Sequence, residues 1–217
     1  MKLWLIIVLV ITITSIDKYV GYNVEKNKPK ETRDTCIKDY IQDKLPNLSE
    51  NKYLSKHKRE GIFKNIFSLD DVLGMVVFVI FLVVHKLKYI KDIAIIYIFI
   101  RAFRILTMSI TILPQPNKNC KPPEERNIFD RWFMGGCNDS IFSGHMSMML
   151  VLLLYINKGV KSQLIKYLML AFAVSYSLLI LMLRNHYSVD VILAWFISIT
   201  TYIIYENKEH ILKKGII

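Results

Sequence analysis

Two short stretches concentrate the side chains able to do chemistry. The first reads Cys137-Asn138-Asp139-Ser140-Ile141-Phe142-Ser143-Gly144-His145, the second His186-Tyr187-Ser188-Val189-Asp190. A histidine four residues before an aspartate shares one helix face with it, one turn apart. A carboxylate there holds the imidazole in one tautomer and stabilises its cation, as nucleophilic and acid–base chemistry requires. The other stretch adds a second imidazole at His145. Gly144 permits close backbone approach, and N–H groups of a helix starting near Ser143 suit phosphate oxygens. A lone histidine at such a place is more often a polar cap. Two histidines, an aspartate and a Ser-Gly turn together point to phosphoryl chemistry that needs no metal or other cofactor.

Each stretch opens a long apolar run. Of the 217 residues, 53% are hydrophobic, more than a soluble domain of this length carries. Runs over 69–87, 93–113, 164–183 and 189–205 approach the ~20 residues that a bilayer span needs. The run 141–156 is shorter and carries Ser143 and His145; 3–16 is the shortest. The runs are continuous rather than alternating, which selects helices over barrel strands. The expected fold is an all-α polytopic membrane protein, a bundle of about six transmembrane helices, five of the six segments being firm spans. The divisions are 1–16, a transmembrane helix or signal-like segment; 17–68, a basic loop; 69–205, the catalytic bundle; and 206–217, a tail.

The net charge of +11 lies mostly between spans, without the aromatic interleaving that stacks bases, so nucleic acid is not an expected partner. Short loops with Lys86, Lys88 and Lys91, with Lys158 and Lys161, and the tail with Lys208, Lys213 and Lys214 read as cytosolic under the positive-inside rule. Segment 17–64 opposes that rule, with 12 Lys/Arg against 8 Asp/Glu, but long loops translocate with less regard for charge. Alternation then puts the loop 114–140 and the helix starts bearing His145, His186 and Asp190 on the lumenal side, at one depth. Cys36, Cys120 and Cys137 would be lumenal too, where Cys120 and Cys137 are close enough in sequence to pair; their spacing is not that of a zinc site.

Arg101 and Arg104 lie within the 93–113 run, a costly place for a guanidinium unless it faces protein or a water-filled cavity. They form one stripe with Thr107 or Met108 and Thr111. Arg104 is a candidate clamp for a phosphate headgroup; the alternative is a structural ion pair with Asp70, Asp71 or Asp92, the preferred reading for Arg101. Asp139 is expected to cap the helix that follows or to polarise a base.

Three blocks of residues resemble the sphingomyelin synthase family, six-span enzymes of the PAP2-like lipid phosphatase superfamily. Arg104-Ile105-Leu106-Thr107, Thr111 and Leu113-Pro114-Gln115-Pro116 look like its third-span block. Cys137 to His145 looks like its Cys-Gly-Asp…Ser-Gly-His-Thr block, and His186 to Val191 like its His-Tyr-Thr/Ser-x-Asp-Val block. The resemblance covers roughly 69–205. Asn138 stands where the family usually has Gly, and Met146 where it has Thr; Met146 adjoins His145 and is placed to alter headgroup fit.

The resemblance implies transfer of a phosphobase headgroup, phosphocholine or phosphoethanolamine, from a glycerophospholipid to ceramide, with release of diacylglycerol. His186 would be the nucleophile, oriented by Asp190, and His145 the acid and base. Arg104, Asp139, Ser143, Gly144 and Tyr187 would bind substrate. The site would face the lumen of the Golgi or ER, or the outside of the plasma membrane. The rivals are a lipid phosphate phosphatase and a phospholipase C-like hydrolase. The phosphatases usually carry Lys-x6-Arg-Pro and an arginine several residues before the second histidine. Here no Arg-Pro occurs, and Arg184 stands only two residues ahead of His186.

Overall fold

The computed structural model describes residues 2–26, 37–51, 54, 69–85, 87–111, 113–114, 142–208 and 210. Every regular element among them is a helix: α1 Leu3–Lys26, α2 Tyr40–Lys44, α3 Leu69–His85, α4 Ile90–Ile110, α5 Gly144–Gly159, α6 Gln163–Met182 and α7 Ser188–Glu206. The chain is an all-α, multi-pass membrane protein. Four helices, α1, α4, α6 and α7, are long and apolar enough to cross a bilayer. The other two long ones, α3 and α5, have 17 and 16 residues.

The lengths follow from what each helix faces. α5 is the central element, packed against α3, α4, α6 and α7. Nine of its side chains, from Met146 to Ile156, are buried. A helix enclosed by protein need not match the bilayer thickness. The outer helices present apolar side chains outward, such as Leu164, Tyr167 and Leu168 on α6. In water such a surface would be costly to expose; against lipid it is the expected face.

The N-terminal segment differs from expectation. The apolar stretch 3–16 is the shortest by composition, yet α1 continues to Lys26 and is the longest helix, with 24 residues. It packs along α4. The continuation carries Asp17, a charge that would end a lipid-exposed run. Here it is only 2% exposed and paired with arginines of α4, so the helix passes through it.

Polar networks mark the two ends of the bundle. At one end the starts of α3, α5 and α7 meet. At the other, Tyr205 Oη donates to Asp92 Oδ1 (2.7 Å), Tyr155 Oη donates to Glu206 Oε1 (3.0 Å), and Lys158 pairs with Glu206. Those contacts tie the end of α7 to the start of α4 and the end of α5.

Candidate active site

His145 is the second residue of α5. Ser143 caps that helix, its Oγ accepting the Met146 N–H at 3.2 Å. The capping residue is thus Ser143; Asp139, the expected cap, lies outside the described residues. A hydroxyl immediately before the helix reaches the third N–H of the first turn. With Ser143 Oγ spent on Met146, the Gly144 and His145 N–H groups are left at the positive end of the helix, with no intrahelical acceptor in reach.

The His145 side chain is 45% exposed, and its Nε2 lies 2.9 Å from Asp71 Oδ1. Asp71 is in the first turn of α3. Its place at the start of the run 69–87 is the sequence signal that it shares the depth of His145. Its neighbour Asp70 is buried, and Oδ2 of Asp70 accepts from Asn185 Nδ2 at 3.2 Å. Asn185 precedes His186, so the adjacent carboxylates Asp70 and Asp71 link the two histidine-bearing stretches.

His186 turns Nδ1 toward Asp190 Oδ2 at 3.7 Å, longer than a hydrogen bond. That oxygen also accepts the Tyr187 N–H at 2.8 Å. Asp190 is fully buried, and its Oδ1 has no hydrogen-bond partner. The carboxylate is thus fixed from the backbone side with acceptor capacity in reserve. With Nδ1 toward Asp190, Nε2 is the nitrogen left to meet a substrate. Tyr187 itself is buried, its hydroxyl accepting the Ile37 N–H at 3.4 Å.

The arginines of α4 converge on the first turn of α5 and on α1. Arg104 is buried; Nε donates to Phe142 O at 3.1 Å and Nη1 to Asp17 Oδ2 at 2.8 Å. Arg101 Nη1 lies 2.5 Å from the same oxygen. A Cβ on Gly144 would stand 3.5 Å from Arg101 Nη1, so the glycine is the point where guanidinium and Ser-Gly-His turn touch. The ion-pair reading of these arginines holds with a different partner: Asp17, not Asp70, Asp71 or Asp92. Both guanidinium groups meet the one Asp17 carboxylate beside the turn.

Met146 does not face the site. It is fully buried, and its Sδ lies 3.3 Å from Ser177 Oγ, which also receives the Trp195 Nε1 hydrogen bond at 2.9 Å. One residue along a helix turns the side chain by about 100°, and that rotation puts Met146 between α5 and α6. Asp70, Asp71 and His145 offer ligand atoms within 4.8 Å of one another, but the oxygen pointing at His145 sits at hydrogen-bond distance, which a bound cation would have to break. Cys36, Cys120 and Cys137 lie outside the described residues.

Residues 136–207 match the family model described as PAP2 superfamily C-terminal, a span that holds Ser143, His145, His186 and Asp190. A phosphatidylinositol:ceramide inositolphosphotransferase of Oryza sativa subsp. indica is 39% identical over 107 residues, covering 43% of this chain and 33% of the relative. Phosphatidylinositol:ceramide inositolphosphotransferase 3 of Arabidopsis thaliana is 33% identical over 110 residues, 44% of this chain and 38% of the relative. The chain thus spans little more than a third of the length of these curated relatives. The region that holds both histidines is thus similar to the PAP2 superfamily C-terminal domain and to these relatives, in keeping with the resemblance to the sphingomyelin synthase family.

Proposed function

We propose that the chain is a membrane phosphotransferase that moves a phospho-headgroup from a glycerophospholipid to the primary hydroxyl of ceramide. The observation that carries this reading is a pair of histidine–carboxylate couples, His145–Asp71 and His186–Asp190, at the end of the bundle where α3, α5 and α7 begin. His186 Nε2 attacks phosphorus. The bond from phosphorus to the diacylglycerol oxygen breaks, and His145 gives that oxygen its proton. The ceramide hydroxyl then loses its proton to His145 and attacks phosphorus, and the phosphorus–nitrogen bond to His186 breaks. Asp190 stabilises the His186 cation, and Asp71 holds the His145 ring. The α5 N-terminus offers backbone N–H groups to the phosphate, and Arg101, held by Asp17 beside Gly144, adds positive charge at that turn.

The histidine couples lie at the bundle end where α3, α5 and α7 begin, and the outer helices present apolar side chains to lipid, which favours a substrate that itself resides in the bilayer. We place this end toward the lumen, on loop charge.

The relatives' names favour inositol phosphate as the headgroup, ahead of the phosphocholine or phosphoethanolamine expected from the motifs. The test supplies purified full chain in detergent with labelled phosphatidylinositol, phosphatidylcholine or phosphatidylethanolamine, with and without ceramide. Ceramide-dependent headgroup transfer from any of them, lost in His186→Ala, is the expected result. Headgroup release without ceramide, or phosphate release from phosphatidate, would replace the transferase by a hydrolase.

A further inference from the structure

The segment 37–48 bonds repeatedly to the loop that carries His186. Gln42 Nε2 donates to the carbonyl oxygens of His186 (3.0 Å) and Leu181 (3.3 Å). Asp39 Oδ2 accepts the Ser188 N–H at 2.6 Å, and its Oδ1 accepts the Ser188 hydroxyl at 3.0 Å. The same Oδ1 caps α2 through the N–H groups of Ile41 and Gln42. In the other direction, Arg184 Nη1 donates to Gln42 O at 2.6 Å and Nη2 to Leu45 O at 3.3 Å. Leu48 N–H donates to Met182 O at 2.8 Å. Asp39 and Gln42 are both buried.

The loop these bonds hold has little rigidity of its own. Residues 183–187 join α6 to α7 without helix, and Arg184 has φ of 55°, a costly conformation for a residue with a Cβ. Such strain persists only where the surroundings over-determine it, and here the Arg184 side chain is anchored to two carbonyls of the segment. The bonds also fall on consecutive positions: His186 through its carbonyl, Tyr187 through its hydroxyl, Ser188 through N–H and Oγ. The ring of His186 hangs from the first of these, and Asp190 follows in the first turn after the last.

We propose that 37–48 is a strap that positions His186 against Asp190, with Gln42 and Asp39 as positioning residues acting through the loop backbone. The inference rests on the reading of His186 as nucleophile. Its physical content is separable: the strap fixes the ring's location and shields it, His186 being 7% exposed. Gln42→Ala removes both donors and frees the His186 carbonyl; Asp39→Ala removes the link to Ser188 and the α2 cap, while Asp39→Asn keeps an acceptor oxygen.

The experiment uses the full chain in detergent with two readouts. The first is headgroup transfer resolved into kcat and KM. The second is the rate of carbethoxylation of His186 by diethylpyrocarbonate, followed by mass spectrometry. Gln42→Ala and Asp39→Ala should lower kcat about tenfold or more with KM for donor nearly unchanged, and should speed His186 modification several-fold. Asp39→Asn should recover much of both, and Asp43→Asn, exposed on the same short helix, should match the parent. Wild-type kcat and wild-type His186 reactivity in folded Gln42→Ala would overturn the strap. If Gln42→Ala does not fold, Gln42→Met, of similar size and without an N–H or O–H donor, takes its place under the same criteria. If the parent transfers no headgroup and His186→Ala changes nothing, the functional reading fails, and the modification rate alone decides the strap.

Discussion

Asp71 Oδ1 stands 2.9 Å from His145 Nε2, joining the first turns of α3 and α5. The pair repeats, across two helices, what His186 in the loop before α7 and Asp190 in its first turn do together. Asp71→Asn keeps the shape and removes the carboxylate charge that holds the ring. Positioned acid–base groups are worth 10²- to 10⁴-fold, and the orienting partner a share of that, so kcat should fall about 10- to 100-fold while KM for donor holds. Steady-state transfer assays check this; an unchanged kcat would remove Asp71 from the site.

The His186–Asp190 couple makes a kinetic prediction. A covalent headgroup–histidine intermediate releases diacylglycerol before acceptor arrives. Mixed with donor alone, the protein should give a burst of diacylglycerol near one equivalent, absent in His186→Ala. Asp190→Asn should cut turnover by a factor on the order of 10²–10⁴, by analogy with triad aspartates. A burst that survives His186→Ala would move the nucleophile elsewhere.

Asp17 is buried between two guanidinium groups. Removing one partner of a buried pair leaves an uncompensated charge, typically a loss of about 3–5 kcal/mol. Asp17→Ala should therefore lower the thermal midpoint in detergent sharply, and more than Arg101→Ala, because Arg101 is the more exposed of the two arginines. A midpoint within a degree or two of the parent would show that α1 is not held through this charge.

Gly144→Ala puts a Cβ 3.5–3.6 Å from the Arg101 guanidinium, ordinary van der Waals contact. Folding stability should change by less than about 1 kcal/mol. A larger side chain, as in Gly144→Leu, displaces Arg101 and should raise KM for the donor. Equal effects of Ala and Leu would argue against contact between this turn and Arg101 as the relevant feature.

Asp39 carries a pH signature. Burial alone would raise its pKa. The hydrogen bonds from Ser188, Gln42 and Ile41 outweigh that and hold it below its usual 3.8. A carboxylate with a depressed folded pKa stabilises the fold above the unfolded value and loses that contribution as pH falls through the folded one. The parent should thus be more stable than Asp39→Asn at neutral pH, and the gap should close below pH 3.8. Thermal midpoints at stepped pH test it; a gap constant down to the acid limit would mean that the charge contributes nothing.

Much of this protein is written locally. Continuous apolar runs allow only helices in lipid, so the all-α bundle follows from composition along the chain. Ser-Gly-His at the head of an apolar run marks a helix start, whereas the expected shared helix face of His186 and Asp190 is not formed: His186 sits in the loop before α7 and approaches Asp190 from there. What stayed hidden were partners far apart in sequence. Asp17 lies 84 positions from Arg101, and nothing in its neighbourhood announces that it passes into the bundle rather than ending a span. Asp71, in sequence one candidate partner of the arginines, meets His145 instead because α3 lies beside α5. The segment 37–48 read as part of a polar loop, yet its Gln42 lies buried 144 positions from His186. Helix formation is decided by hydrogen bonds within a few residues, whereas the choice of ion-pair and strap partners depends on which helices pack together, and only the tertiary structure decides that.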